Sequence, residues 1–240
     1  MVDKIKCVIF DLDKTIIGDL SDISSYDTLI SSFKWNNGLF NTFKKIDDDY
    51  IMNILQNGLL RPGIVEFIKH LYETCKIKIV VYTLSERQWA TRILNQITKI
   101  IGYEFFILLL CREDCIGNGK KSLTHIIHKL NNLNIFIEKQ NIIMYDDNYT
   151  VKTNLILVPK YIYKPPFNII KELNSKLVKS CLSIQDYHQF ILTLKYWNID
   201  TLPFENQTDY DYEVISNMEF ISKDDFFIYE IKKYDSLQNQ

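Results

Sequence analysis

An apolar run that ends abruptly in two aspartates constrains this chain more than any other feature. The segment Cys7–Phe10 is apolar and favours a β-strand, and Asp11 and Asp13 follow it directly. Such a run is typical of a strand that is buried on both faces, as in a parallel sheet. Ligands bind at the carboxyl ends of strands in open α/β sheets, so both carboxylates are predicted at a functional edge.

The spacing of the two acids points to a chemistry. Carboxylates this close repel each other, and a bound cation relieves that repulsion. The pair is therefore a candidate magnesium site in which one acid is a nucleophile and the other transfers protons. A strand-end turn with two solvated aspartates is the alternative, because Asp is common in turns.

The rest of the chain alternates strand patterns with helix patterns. The five apolar strand candidates are Lys6–Phe10, Ile77–Tyr82, Phe105–Leu110, Asn141–Tyr145 and Leu155–Val158. Between them, apolar residues recur at helical spacing in segments that begin at Ile64, Trp89 and Leu123. This alternation predicts an α/β protein with a central parallel sheet covered on both faces by helices.

We predict one domain that spans residues 1–180. It contains a long insertion and is followed by a C-terminal extension. Residues 18–60 are too long for a plain connection and follow the tip of the first strand, so we predict a lid or specificity element. A packed surface decoration is the alternative, and the run Asp47–Asp49 within it reads as a solvated turn. Residues 181–240 are predicted to form an acidic, aromatic-rich extension packed on or appended to the core.

Composition and charge narrow the classes of function. No apolar run is long enough to span a bilayer and no secretion signal is apparent, so we expect an intracellular protein without a membrane role. Five cysteines are an odd number and poor material for a disulfide framework. Residues 197–240 carry a net charge of −7, which leaves +5 for residues 1–196. That balance suits an anionic substrate but is too weak to indicate nucleic acid.

Polar groups also follow later strands. Thr83–Ser85 comes after the second strand and Asp146–Asn148 after the fourth, while Lys120–Lys121 precedes the helix that leads into the fourth. Parallel strands end on the same side of a sheet, so these groups are expected to meet the first aspartate pair. Acids that hold Mg²⁺, with Thr and Lys to bind phosphate oxygens, make a phosphoryl-transfer site.

At this point the chain resembles the phosphatases of the haloacid dehalogenase superfamily. Asp11-x-Asp13-x-Thr15 matches motif I of that superfamily, Thr83 matches motif II, Lys121 motif III and Asp146-Asp147 motif IV. Further matches are similar to the branch of RNA polymerase II C-terminal-domain phosphatases and their NLI-interacting-factor-like relatives. They are Arg61–Gly63, Thr83–Ser85 followed by Trp89-Ala90, and Arg112–Cys115 followed by Gly119 and Lys121–Leu123.

The resemblance implies a Rossmann-like three-layer α/β/α fold and a two-step mechanism. Asp11 attacks phosphorus, and Asp13 protonates the leaving oxygen and then activates water. Mg²⁺ is bound by Asp11, the backbone carbonyl of Asp13 and Asp147, with Asp146 alongside. The phosphate is bound by Thr83 and Lys121, and the supporting residues are Thr15, Ser85 and Lys120.

The resemblance also implies a function. It favours a Mg²⁺-dependent phosphomonoesterase that acts on phosphoserine in proteins, such as a polymerase tail. Nucleotides, polynucleotide 3′-phosphates and small metabolites are alternative substrates, because one fold serves many. A non-catalytic binding protein is a third reading, but a scaffold without activity has no reason to hold mutually repelling acids.

Two details depart from these patterns. The family usually has Asp after the motif III lysine and often Glu between the motif I acid and threonine, whereas this chain has Ser122 and Lys14. Neither change removes a catalytic group. A set of cysteines and histidines (Cys111, Cys115, His125 and His128) superficially resembles zinc ligands, but its spacing fits no common finger.

Overall fold

The computed structural model of this chain describes residues 5–18, 34, 37–117, 119–163, 176–177, 179–181 and 226–238. The chain divides into two compact units. The first unit combines Met1–Asp19, Leu60–Ile162 and Lys223–Gln240, and the second combines Leu20–Leu59 and Tyr163–Ser222. Each unit is thus assembled from segments that are distant in sequence.

A five-stranded parallel sheet forms the centre of the first unit. Its strands are β1 (Cys7–Phe10), β2 (Lys78–Tyr82), β3 (Leu108–Leu110), β4 (Ile142–Asp146) and β5 (Leu155–Leu157). They lie in the order β3-β2-β1-β4-β5. This confirms the predicted α/β fold class, and the bounds agree closely except in β3. There the predicted strand began at Phe105, which precedes β3 but is fully buried.

The described helices, in chain order, are α1 (Asn37–Ile54), α2 (Ile64–Lys69), α3 (Arg87–Ile101), α4 (Leu123–Asn132) and α5 (Phe226–Gln238). His70–Thr74 continues α2 as a wider π-helical turn, whereas Leu55–Leu59 after α1 is kinked, because Asn57 and Gly58 leave the helical conformation. None of the helices in the described ranges is long and apolar enough to cross a membrane. The three predicted helices correspond to α2, α3 and α4.

The prediction of a solvated turn at Asp47–Asp49 is wrong. These residues lie within α1, and Asp47 is buried. The apolar residues Phe43 and Ile51 flank the acidic run at helical spacing and are fully buried. That spacing holds the whole segment in one helix, so the acidic run does not interrupt it.

Both faces of the sheet are covered. Alternate residues of β1 point to opposite faces, so each face packs against a different set of residues. Cys7 and Ile9 pack in a core with Ile126 and Leu130 of α4. Phe10 belongs to the other face, where we define an aromatic cluster of Phe10, Phe67, Tyr145 and Phe227. Its rings stack in pairs, with centroid distances of 5.4 Å for Phe10–Tyr145 and 5.2 Å for Phe67–Phe227.

Helix α5 is the described part of the predicted C-terminal extension, and it packs closely on α2. Gly63 precedes α2 with φ of +75°, and a Cβ atom there would lie 3.0 Å from the side chain of Ile228. Glycine meets both requirements, a left-handed backbone and a close approach. Residues 182–225 of the extension, and 19–33 and 35–36 of the insertion, lie outside the described residues, so the predicted domain boundaries and the lid stay predictions.

Candidate active site

The site forms where the strand order reverses. β1 lies between β2 and β4, with Phe10 in register with Val81 and Tyr145. The backbone N–H of Asp11 donates to the carbonyl of Tyr145 at 2.9 Å. The residues that follow these three strands therefore share one edge of the sheet, at the switch point where open α/β sheets bind ligands.

Lys121 lies between two of the acids. Its Nζ donates to Oδ1 of Asp11 at 2.5 Å and to Oδ2 of Asp146 at 2.7 Å. The lysine immediately precedes the N-cap of α4, where the side chain of Ser122 accepts a hydrogen bond from the N–H of His125 at 3.3 Å. All three charged side chains are almost completely buried, so their attraction is only weakly screened by solvent.

The charges at this edge do not balance. Burial raises the pKa of Asp11 to about 7, and Asp146 adds to the rise although Lys121 opposes it. Burial disfavours the charged form of Lys121, but Asp11 and Asp146 outweigh it and raise the pKa of the ammonium. One positive charge faces several carboxylates here, and the excess negative charge favours a further cation.

Asp13 is held by two hydroxyl groups from the loop after β2. Ser85 Oγ donates to Oδ2 of Asp13 at 2.6 Å, and Thr83 Oγ1 donates to the same oxygen at 3.2 Å. The N–H of Ser85 donates in turn to Thr83 Oγ1 at 3.0 Å. The loop thus orients the second aspartate separately from the lysine that holds the first.

Asp146 and Asp147 play different parts in the geometry. Asp146 accepts hydrogen bonds from Lys121, from the N–H of Asn148 at 2.8 Å and from Thr150 Oγ1 at 2.7 Å. Asp147 is fixed through its backbone, whose N–H donates to Thr15 Oγ1 at 3.1 Å. Both oxygens of Asp146 are therefore engaged, whereas Asp147 accepts a hydrogen bond from Asn148 Nδ2 on Oδ1 at 2.9 Å and keeps Oδ2 for another partner.

The donor set fits a divalent cation. Carboxylate oxygens of Asp11, Asp146 and Asp147 lie within 4.8 Å of one another, the only such group of acids, cysteines or histidines in the described residues. Oδ2 of Asp147 is buried without a hydrogen-bond partner. A buried carboxylate oxygen needs a partner, and hard oxygen ligands suit Mg²⁺.

One predicted supporting residue lies apart from this cluster. Lys120 is exposed, and it is joined through its backbone to Ile116, whose N–H donates to its carbonyl at 3.1 Å. The structure therefore brings together the predicted Asp11, Asp13, Thr15, Thr83, Ser85, Lys121, Asp146 and Asp147, but not the side chain of Lys120.

Sequence reasoning missed the part that Arg61 plays in the site. The residue was interpreted only as part of the Arg61–Gly63 match to the phosphatase branch, yet its side chain is buried and donates to the carbonyl of Pro159 at 2.8 Å. Its backbone N–H donates to the carbonyl of Ile16 at 3.0 Å, and its guanidinium lies 5.4 Å from the centroid of the Phe227 ring. Arg61 therefore ties the segment after Asp13 to the segment after β5.

The strand order and the acidic edge agree with the fold and the site that the sequence resemblance led us to expect. The model of the NLI interacting factor-like phosphatase family matches residues 6–188, well over half of the chain, and the chain therefore belongs to that family. The match confirms the family and the enzyme class predicted above, a phosphatase. No curated protein matches the chain in sequence.

Solved structures give more distant similarities. The fission yeast RNA polymerase II CTD phosphatase Fcp1, bound to beryllium fluoride, is 15% identical over 98% of this chain and 66% of its own, with a TM-score of 0.38. A HAD-superfamily hydrolase from Ehrlichia chaffeensis is 15% identical over 74% of this chain and 100% of its own, with a TM-score of 0.40. The family assignment rests on the sequence match.

Proposed function

We propose that the protein is a Mg²⁺-dependent phosphomonoesterase that works through an aspartyl-phosphate and acts on phosphoserine in proteins. One observation carries the mechanism. Lys121 bridges Asp11 and Asp146 inside the edge of the sheet, while a separate pair of hydroxyls holds Asp13. The two aspartates thus occupy different environments, as a nucleophile and an acid/base group require.

In the first step, an Asp11 oxygen forms a bond to phosphorus and the bond from phosphorus to the leaving oxygen breaks. The carboxyl group of Asp13 gives its proton to that oxygen. In the second step, water loses a proton to Asp13 while its oxygen bonds to phosphorus, and the bond between Asp11 and phosphorus breaks. Phosphate leaves, and both side chains return to their starting states.

The chain's other residues bind and balance charge. Lys121 and Thr83 are proposed to bind the phosphate oxygens. Asp11, Asp147 and the backbone carbonyl of Asp13 would hold Mg²⁺, which supplies positive charge that orients the phosphate and keeps Asp11 ionised. Asp146 would lie alongside and fix the position of Lys121.

Two exposed side chains support a protein substrate. Leu84 is 40% exposed and Tyr149 is 85% exposed, and they adjoin Thr83 and Asn148 in sequence. Large apolar groups next to the charged site offer contact area to the residues that flank a phosphoserine. The family assignment agrees with a phosphorylated substrate.

Hydrolysis of an aryl phosphate by the purified protein tests the mechanism. We expect activity that depends on Mg²⁺, disappears with a chelator and falls by about 10³-fold or more in Asp11→Asn. Glu104→Gln is the matched control, because it also converts a carboxylate to an amide but lies at an exposed position. Radiolabelled phosphate trapped on the peptide that contains Asp11 would support the intermediate, and wild-type activity in Asp11→Asn would disprove it.

A substrate panel tests the proposed substrate class. Phosphoserine peptides, nucleotides and 3′-phosphorylated oligonucleotides are compared by kcat/KM at equal Mg²⁺ concentration. We expect the peptides to be preferred. A clear preference for the oligonucleotides would make the polynucleotide 3′-phosphatase the better assignment.

A further inference from the structure

Ser85 contacts the Asp13 carboxyl group directly, and Arg112 contacts the loop that carries Ser85. We propose that both are positioning residues for Asp13 and that they leave its Oδ1 as the atom that gives and takes the proton. The inference rests on the proposed function, in which Asp13 is the acid/base group. It adds which oxygen acts and which residues outside the four matched motifs make it act.

Within the described part of the chain, both hydrogen bonds to the Asp13 side chain are directed to one oxygen. Ser85 Oγ and Thr83 Oγ1 both donate to Oδ2, at 2.6 Å and 3.2 Å. Thr83 Oγ1 already accepts the N–H of Ser85, so its own hydrogen is directed to Asp13. An oxygen that accepts two hydrogens has little capacity for a third, so the proton of the neutral acid belongs on Oδ1.

Arg112 holds the loop that supplies both hydroxyls. Its Nε donates to the carbonyl of Leu84 at 2.7 Å, and its backbone N–H donates to the carbonyl of Ser85 at 3.1 Å. Two successive carbonyls of the loop thus depend on one residue. Because the Ser85 hydroxyl moves with its backbone, the guanidinium of Arg112 acts on Asp13 through the Leu84 carbonyl and Ser85, and this is the contact that Arg112→Ala removes.

The energetic reason is that proton transfer requires close alignment. A positioned general acid typically contributes about 10²- to 10⁴-fold to a rate, and a misplacement of about 1 Å can forfeit about 10²-fold. The guanidinium of Arg112 is largely exposed, so its removal leaves the core intact. Its loss should therefore change how Asp13 works more than it changes stability.

The dependence of rate on the leaving group tests this. A good leaving group such as nitrophenolate departs without a proton, whereas phenolate and serine alkoxide need one. We expect Ser85→Ala and Arg112→Ala to reduce kcat/KM for phenyl phosphate by about 10-fold or more, and for nitrophenyl phosphate by much less. Asp13→Asn should show the same pattern in stronger form.

Two further variants separate positioning from general damage. Ser85→Thr keeps a hydroxyl and should restore the wild-type ratio between the two substrates. Arg87→Ala removes an arginine that pairs with Asp114 in the same charged surface, but which has no hydrogen bond to Thr83–Ser85 among the described residues. It should keep the wild-type ratio. Thermal unfolding of each variant shows whether the protein is folded. If Arg112→Ala does not fold, the substrate ratio of Ser85→Ala alone tests the proposal.

The outcomes distinguish the inference from the function on which it rests. In one outcome, the rate of Asp13→Asn depends steeply on the leaving group, but Ser85→Ala and Arg112→Ala keep the wild-type ratio between the two substrates or lose kcat/KM equally on both. The positioning roles are then wrong and the mechanism stands. If the wild type hydrolyses neither substrate, or Asp13→Asn leaves the ratio unchanged, the proposed mechanism fails and the inference fails with it.

Discussion

At the scale of single residues, the ammonium group of Lys121 is the positive charge that compensates the buried carboxylates of the site. Its ammonium is buried between Asp11 and Asp146, both of which are also buried. Removing one partner of a buried ionic group leaves uncompensated charge, which costs far more than a surface pair is worth.

We therefore predict that Lys121→Met lowers the free energy of unfolding by about 3–5 kcal/mol in the metal-free protein and abolishes phosphatase activity. Urea denaturation gives the first quantity and aryl phosphate hydrolysis the second. Lys120→Met is the matched control for stability, since its side chain is exposed, and should change the free energy by no more than about 0.5 kcal/mol. Equal stability losses in the two variants would contradict the role given to Lys121.

Asp11 gives the metal-free protein a predictable pH dependence. Its pKa rises from 3.8 to about 7 on folding, chiefly through burial. Below pH 4 the side chain is protonated in both states, so its contribution to stability is fully present. As the pH rises to 7 the unfolded chain loses the proton first, and that stability is lost.

The melting temperature in chelator should therefore fall between pH 4 and pH 7 more steeply in the wild type than in Asp11→Asn. Mg²⁺ should raise the melting temperature most above pH 7, where Asp11 is ionised and can bind it. Parallel pH profiles of the two proteins in chelator would show that Asp11 does not titrate in this way.

At the scale of elements, α5 completes the aromatic face of the sheet. Phe227 is fully buried against Phe67, and the hydroxyl of Tyr145, the residue before Asp146, donates a hydrogen bond to Oε2 of Glu230. The helix lies beyond residues 6–188, to which the family model extends. This chain therefore covers its sheet with a helix that the family model does not include.

We predict that Phe227→Ala destabilises the protein by about 3–5 kcal/mol, because a large buried ring is lost and a cavity remains. Tyr229→Ala removes an aromatic ring from the same helix, but that residue is 68% exposed, and the change should stay within about 0.5 kcal/mol. Chemical denaturation of both variants makes the comparison. A small effect at Phe227 would mean that α5 is not part of the folded core.

The sequence predicted the strands because a strand buried on both faces is a continuous apolar run, and that pattern is local. The convergence of Asp11 with Asp146 followed from the parallel order alone, since strand ends share an edge. The contact between Tyr145 and Glu230 could not be predicted, because no local pattern links residues so far apart. The burial of Arg61 was missed for the same reason, as Pro159 and Phe227 are distant in sequence.

At the scale of the whole molecule, the long insertion leaves and re-enters the first unit at one place. Ile17 and Leu60 form an antiparallel bridge, and the N–H of Arg61 donates to the carbonyl of Ile16. The two ends of the insertion are therefore adjacent. A short linker can replace the residues between them without pulling on the loop that carries Asp13.

We predict that replacing residues 20–59 with a short Gly-Ser linker lowers kcat/KM for a phosphoserine peptide relative to that for an aryl phosphate. The aryl phosphate needs only the site at the edge of the sheet, whereas a lid or specificity element would contact the residues around a phosphoserine. The ratio of the two values is the measurement. An unchanged ratio in a folded variant would favour a surface decoration.

The position of Phe227 in the chain also bears on how the protein is made. A ribosome synthesises Phe10, Phe67 and Tyr145 well before Phe227, which lies more than sixty residues after β5. During that interval the nascent chain can pair its strands, but the aromatic face of the sheet has no helix α5 to cover it. Exposed apolar surface of this kind favours aggregation and chaperone binding. The nascent chain should therefore depend on chaperones until α5 emerges, and a ribosome stalled before Phe226 should hold a chain that is sensitive to protease.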